Sequence, residues 1–296
     1  VMAIIATLVA GGTLVMLDTF VPAEVLATVE KEKITVMGQV PAQYILLMMQ
    51  PDFDDYDVSS VRAPVISAAP VPSELVKKIE EKFGVLPYIG YGLSEVCGAV
   101  TFTRQEDPVE KIAATIGVPN QGIEVRIMSP TREEVPRGEA GEIAVRGDAV
   151  MKGYYGQPEA TQAVFDDEGF FYTGDMGYID DDGYIHILGR KKEMYIRGGE
   201  NVYPPEVEDV LSKHPKVLFA AVLGYPDPVM GEKGRAYIVP QQGAEVSEEE
   251  LREYCSEHLA KYKIPDQIIF RDALPLTPLG KVHKFALYEE LKEEFD

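Results

Sequence analysis

Apolar and polar positions follow two rhythms along this chain, and the rhythm changes twice. From Pro22 to Lys33 (PAEVLATVEKEK) apolar residues recur every three or four positions, which predicts an amphipathic helix with Pro22 in its first turn. Ile34–Met37 reads as a short strand, and Val40-Pro41 opens a second helix that runs through Met49. An acidic loop spans Asp52–Asp57. Val65–Ser67 is a strand, Ser73–Phe83 a helix and Leu86–Gly90 the next strand. Strand alternating with helix predicts a parallel sheet carrying helices. Near Thr115 the segments become short, glycine-punctuated and β-like: IEVRIM, GEIAVRG and GYIDDDGYIHILG, with Asp181-Asp182-Gly183 as a hairpin turn. This predicts a small β-barrel or β-sandwich. After Lys192 the pattern shifts again. A helix runs from Pro204 to His214, strands cover Val217–Leu223 and Arg235–Val239, and Ser247 caps a helix with Glu250 three residues on. A strand over Gln267–Phe270, a lysine-bearing loop and a terminal helix complete a compact α+β module.

The predicted fold class is therefore α/β followed by α+β. Residues 1–114 form part of an α/β domain, 115–190 a β-barrel subdomain, 191–192 a hinge, and 193–296 a small α+β domain. No repeat of fixed period occurs. The first 17 residues, VMAIIATLVAGGTLVML, are apolar but split by Gly11-Gly12. They read as a buried helix, a turn and a buried strand rather than a signal peptide or membrane span, which needs ~20 unbroken apolar residues. Such a start is expected of a chain cut from something longer.

Composition narrows the function. Hydrophobic residues make up 46% of the 296, as in globular proteins. The formal net charge of -21 argues against nucleic acid and anionic membrane as partners, while leaving room for a polyanion at a local positive site. Cys97 and Cys255 form no CxxC, which fits a reducing, cytoplasmic setting. The four histidines show no metal-ligand spacing.

In so acidic a chain, the stretch GRKKEMYIRGGENVYPPEVE (Gly189–Glu208) stands out, with Arg190, Lys191, Lys192, Arg197 and the Gly198-Gly199 pair. It suits a solvated turn offsetting nearby acids and equally a phosphate site, since arginine forks and glycine-backed amides both bind phosphate oxygens. Tyr91-Gly92-Leu93-Ser94-Glu95 follows a predicted strand, at the carboxyl end where open α/β sheets bind ligands. Glu95 takes the place of the last glycine of a dinucleotide fingerprint, so that reading fails. Asp175, in Tyr172-Thr173-Gly174-Asp175, suits a turn residue bonded to backbone amides or a ligand acceptor. By itself Lys281 reads as a surface lysine in a Pro/Gly-rich loop.

Taken in order, Tyr91–Glu95, Tyr172–Asp175, Gly189–Glu208 and Pro275–Lys281 resemble the adenylate-forming (AMP-binding) superfamily of acyl- and aryl-CoA synthetases, luciferases and peptide-synthetase adenylation domains. The resemblance covers essentially the whole chain. It implies that Tyr91 stacks on adenine within the Tyr91-Gly92 turn, that Ser94 contacts the α-phosphate, and that Glu95 binds Mg²⁺, a hard cation suited to oxygen ligands. It implies that Asp175 accepts the ribose hydroxyls and Arg190 reaches ribose and phosphate. Lys192 matches the hinge residue. Gly198 and Gly199 match the loop beside pantetheine, and Lys281 matches the lysine that meets charge at the acyl carboxylate and α-phosphate. Ala69 and Pro70, in Ser67-Ala68-Ala69-Pro70, resemble a Gly-Gly-Ala-Pro turn along the nucleotide, with both glycines replaced. Gly141-Glu142, Gly147 and Tyr154 match a further string that reads as structural.

The Ser/Thr/Gly-rich loop that wraps the β- and γ-phosphates in many such enzymes has no counterpart here. The resemblance therefore implies the carboxyl-terminal portion of an AMP-forming acid-CoA ligase, inactive alone, acting with ATP, AMP, Mg²⁺ and coenzyme A on a fatty or other aliphatic acid. Homo-oligomers are compatible with it. The rival readings are a non-catalytic AMP-binding module and a peptide-synthetase-type adenylation domain.

Overall fold

The computed structural model describes residues 2–277 and 281–295; Pro278, Leu279 and Gly280 of the lysine loop lie outside the described residues. Nine helices occur among them: α1 Met2–Val9, α2 Pro22–Glu32, α3 Pro41–Met48, α4 Ser73–Phe83, α5 Val109–Ala114, α6 Pro158–Val164, α7 Pro204–Ser212, α8 Glu248–His258 and α9 Lys284–Glu293. The strands form three sheets. The first takes β1 Val36–Gln39, β2 Ala63–Ser67, β3 Tyr88–Tyr91, β4 Thr101–Phe102 and β5 Val118–Pro119 in that order. The second takes β6 Ile123–Met128, β7 Gly141–Gly147, β8 Phe171–Ile179 and β9 Ile185–Arg190. The third places β10 Tyr195–Arg197 between β11 Glu200–Val202 and β13 Gly231–Pro240, with β12 Val217–Asp227 and β14 Gln267–Phe270 also paired to β13. The chain divides into two compact units: residues 1–69, 75–125 and 145–171, and residues 70–74, 126–144 and 172–296.

In the first unit, β1, β2 and β3 are parallel and β4 and β5 antiparallel, giving the α/β pattern expected. The helices present apolar residues at helical spacing. Leu75, Val76, Ile79 and Phe83 of α4 are buried, as are Leu26 and Val29 of α2 and Tyr44 and Leu47 of α3. Each such side chain contributes roughly 1.5–3 kcal/mol by leaving water. Tyr44 and Phe53 meet Phe83 edge-on at 6.0 and 5.7 Å, and the Tyr44 hydroxyl donates to the Met37 carbonyl, so this core leaves no buried phenol unpaired.

Two expectations change. The β-rich stretch forms an open four-strand order, β6-β7-β8-β9, and no closed barrel is seen among the described residues. The apolar start forms α1, but residues 13–17 make no strand, and Ile5, Leu8, Val9 and Met16 are more than half exposed. A strand needs a neighbour to satisfy its amides, and these residues have no β partner among the described residues.

In the second unit, β12 and β13 form a long hairpin whose alternate residues build two cores. Val222, Ala236 and Ile238 cluster with Val207 and Leu211 of α7 and with Leu251 and Cys255 of α8. Ala221, Leu223, Tyr237 and Val239 cluster with Leu287 and Leu291 of α9. The period of two thus puts helices on both faces of the sheet. Ser247 caps α8 as expected, accepting from the Glu250 amide.

Candidate active site

The Tyr91–Glu95 stretch begins at the last residue of β3 and opens the nine-residue connection, 92–100, that leads to β4. Gly92 is required because the Gly98 carbonyl oxygen occupies the space where a Cβ would stand. A short 3-10 turn over Ser94–Val96 leaves Ser94 exposed and Glu95 half-buried. Glu95 is fixed at both ends: its carbonyl accepts from the Met151 amide at 2.7 Å, and its carboxylate accepts from the Tyr154 hydroxyl at 3.1 Å. Burial and that carboxylate together push the Tyr154 phenol up, so it stays a donor. Tyr91, Gly92, Ser94 and Glu95 therefore share one braced loop in the first unit, and Ala69, two residues past the end of β2, lies in the same unit. Pro70 falls in the second. Ala68, the residue before Ala69, has φ of 74°, the left-handed region where the resembling turn carries glycine.

The second unit gathers most of the remaining candidates. Asp175 on β8 and Arg190 on β9 are register partners in an antiparallel pair. The Arg190 Nε reaches the Asp175 carboxylate at 2.9 Å; the aspartate side chain is 5% exposed and the arginine 47%, so the acid is held inside and the guanidinium faces out. Glu142 completes the frame. One of its oxygens accepts from the Gly174 amide at 3.0 Å and the other from the Lys191 ammonium at 2.8 Å, while the Lys191 amide donates to the Gly174 carbonyl. Gly174, Arg190, Lys191 and Lys192 line an open pocket of about 280 Å³.

Lys281 lies in the same unit. Burial lowers its ammonium below the usual lysine value, and the Arg190 charge lowers it further. Its amide donates to Thr277 Oγ1, and its carbonyl accepts from the Thr277 amide. Gly198 and Gly199 lie apart from the pocket lining. They form the two-residue turn joining β10 to β11, with φ of 62° and 92°, as a primed hairpin turn demands. The Gly198 amide donates to the Met230 carbonyl, and the buried Tyr195 ring lies across Gly224 and Gly234, cross-strand partners where any Cβ would overlap it. Tyr154 and Glu142 belong to a string taken as structural from sequence. The missed signal was their chemistry: a phenol and a carboxylate are hydrogen-bonding groups, and here they brace Glu95 and Lys191.

Among the described residues no three His, Cys, Asp or Glu side chains cluster as a metal cage.

Comparison with known proteins decides the family. The profile of the AMP-binding enzyme family matches residues 1–155, and that of the AMP-binding enzyme C-terminal domain matches residues 206–281. The chain belongs to the AMP-binding enzyme family. Within this family it is 41% identical over 283 residues to the feruloyl-CoA synthase of Amycolatopsis sp, covering 96% of this chain and 57% of that protein. It is 38% identical over 280 residues to the long-chain-fatty-acid–CoA ligase FadD13 of Mycobacterium tuberculosis, covering 95% and 55%. ATP-bound MatB from Rhodopseudomonas palustris superposes with a TM-score of 0.91 at 34% identity, over 99% of this chain and 58% of that one. The chain thus spans little more than half the length of the family members it matches. No helix among the described residues is long and apolar enough to cross a membrane.

Proposed function

We propose that the whole protein is an AMP-forming acid-CoA ligase. In the first half-reaction a substrate carboxylate oxygen attacks the α-phosphorus of ATP and pyrophosphate leaves. In the second the CoA thiol, losing its proton, attacks the acyl carbon and AMP leaves. The observation that carries this reading is the Asp175–Arg190 ion pair beside Lys191 and Lys192 at one pocket, an acid suited to ribose hydroxyls next to cations suited to phosphate.

Tyr91 offers a ring for adenine and Ser94 an exposed hydroxyl for the α-phosphate. Glu95, oriented by Tyr154, would hold Mg²⁺, which supplies neutralising charge to the phosphates. Lys281, with its depressed ammonium, supports the charge that builds between carboxylate and phosphate. Gly198-Gly199 offers a side-chain-free edge for pantetheine in the second step. Lys191–Lys192 is the hinge between the two arrangements, with residues 193–296 as the moving part. The acid is fatty or otherwise aliphatic, a reading supported by the small residues Cys97, Gly98 and Ala99 after Glu95.

The test is pyrophosphate release by the full-length protein over a panel of aliphatic and aromatic acids, with and without CoA. Release that depends on an aliphatic acid, with a CoA thioester as product, is expected. Binding of AMP with no release on any acid would point to a non-catalytic nucleotide module instead.

A further inference from the structure

Lys284 sits at an unusual place for a lysine. It is the first residue of α9, where the helix dipole disfavours a cation, and that first turn carries no acid. Its side chain is only 21% exposed. Two carboxylates resolve the conflict. The ammonium lies 2.7 Å from Glu208 on α7 and 3.6 Å from Glu193. Glu208 is itself fixed, since the same oxygen accepts from the Val222 amide on β12. Burial alone would pull the Lys284 ammonium down; Glu208 and Glu193 outweigh it and the net shift is upward, so the lysine stays charged.

The positions of these partners matter. Lys284 follows Lys281 by three residues. Glu193 follows Lys192 directly. On the other side of Lys192, Lys191 is bound by side chain to Glu142 and by amide to Gly174. Lys192 is thus a single residue between two anchored neighbours.

We propose that Lys284 is a positioning residue: through Glu193 it ties the start of α9, and with it Lys281, to the segment just after Lys192, and through Glu208 it ties the same point to α7, so that Lys281, that segment and α7 move as one piece. The proposal rests on the ligase reading above. With residue 192 as the hinge of that reading, the tie makes the placement of Lys281 follow from the backbone angles there. Losing the tie leaves Lys281 chemically intact but misplaced.

The experiment uses the full-length protein with Lys284→Met, Lys284→Arg and Glu193→Gln. The two half-reactions are measured separately, the second from supplied acyl-adenylate, alongside amide exchange at Lys281 and His283. Lys284→Met should lower kcat of adenylation about tenfold or more with KM for ATP within about twofold, because misplacement costs turnover rather than binding. The thioester step should stay within about twofold, and Lys284→Arg should restore adenylation to within about threefold of the parent. Amide exchange at Lys281 and His283, both hydrogen-bonded here, should accelerate in Lys284→Met and Glu193→Gln. If Lys284→Met does not fold, Glu193→Gln carries the same readouts, with a smaller expected loss. Unchanged exchange, or equal losses in both half-reactions, overturns the proposal. If the parent protein releases no pyrophosphate with any acid, the ligase reading fails, and exchange alone still decides the tie.

Discussion

At the scale of single residues, Ala68 and Lys281 carry opposite kinds of information. Ala68 holds φ of 74° at the end of β2, a conformation costing a residue with a Cβ roughly 1–2 kcal/mol. Glycine there removes that strain but adds unfolded-state entropy worth about 0.4–1 kcal/mol. Ala68→Gly should therefore stabilise the protein by about 0.5–1 kcal/mol, read as a higher denaturant midpoint at unchanged slope. A lower midpoint would mean the turn gains from Ala68 in some other way. Lys281→Ala tests function. Removing one preorganised charge should cost about 3–4 kcal/mol in adenylation, a hundred- to thousand-fold in rate, and spare thioester formation from supplied acyl-adenylate. Equal loss in both steps would remove Lys281 from the first. The types of these residues were legible in the chain, but their surroundings were not. Nothing in the spacing of Glu142 and Lys191, or of Tyr154 and Glu95, says that they touch. Those contacts join residues 49 and 59 positions apart and exist only once the chain is folded.

Among the elements, legibility followed length and period. α2 and α4 carry strong helical spacing over 11 residues each, and both form within a residue of the expected bounds. β14 falls at Gln267–Phe270, as expected. β10 and β11 were unread because three-residue strands around a Gly-Gly turn offer too few positions for alternation to show; Tyr195 packing on Gly224 and Gly234 holds them, and that is a tertiary effect. α5 and α6, of six and seven residues, went unread for the same reason. The end of α7 adds a pH device. His214 is 5% exposed, its Nδ1 accepts from the Lys216 amide, and its Nε2 lies 3.4 Å from Glu250. Burial lowers its pKa below 6.5, Glu250 opposes the shift and Lys216 reinforces it. A lowered histidine pKa means the folded state prefers the neutral ring. That stability is fully present above the ordinary value of 6.5 and is lost as pH falls through the lower folded value. Melting temperature should decline as pH drops below 6.5, and His214→Gln should remove this part of the slope. Equal slopes in both proteins would assign the decline to other groups.

For the molecule as a whole, the proposed hinge makes one backbone position govern which half-reaction proceeds. Proline at position 192 fixes φ near -65° and disfavours the α conformation at Lys191. Lys192→Pro in the full-length protein should leave one half-reaction within about threefold of normal and slow the other by at least about tenfold, the slowed step identifying which arrangement the fixed angle forbids. Parallel small losses in both would place the pivot elsewhere. The α/β and α+β character of the chain was open to sequence reasoning because it depends on local period. The pivot was not open to it and rests on resemblance; the bonds through Glu142 and Gly174 were equally illegible, since they fix Lys191 only once the chain is folded.

The cation pocket at Arg190, Lys191 and Lys192 lies in a chain with 49 acidic and 28 basic residues, and this has a kinetic consequence. A triphosphate approaching from far away meets the field of the whole acidic surface and is repelled; only close in does it feel the local cations. At ~10 mM salt the screening length is about 30 Å, so the repulsion reaches well into solution; at ~100 mM it is about 10 Å, and the outer barrier has largely gone while the contact pairs persist. For this chain, nucleotide association should therefore quicken as salt is first added, the reverse of the usual behaviour of an anion meeting a basic site, and only at higher salt should faster dissociation weaken binding. Stopped-flow association rates across that range would show the rise, and a monotonic fall would mean that the pocket's own field, not the acidic surround, guides the encounter.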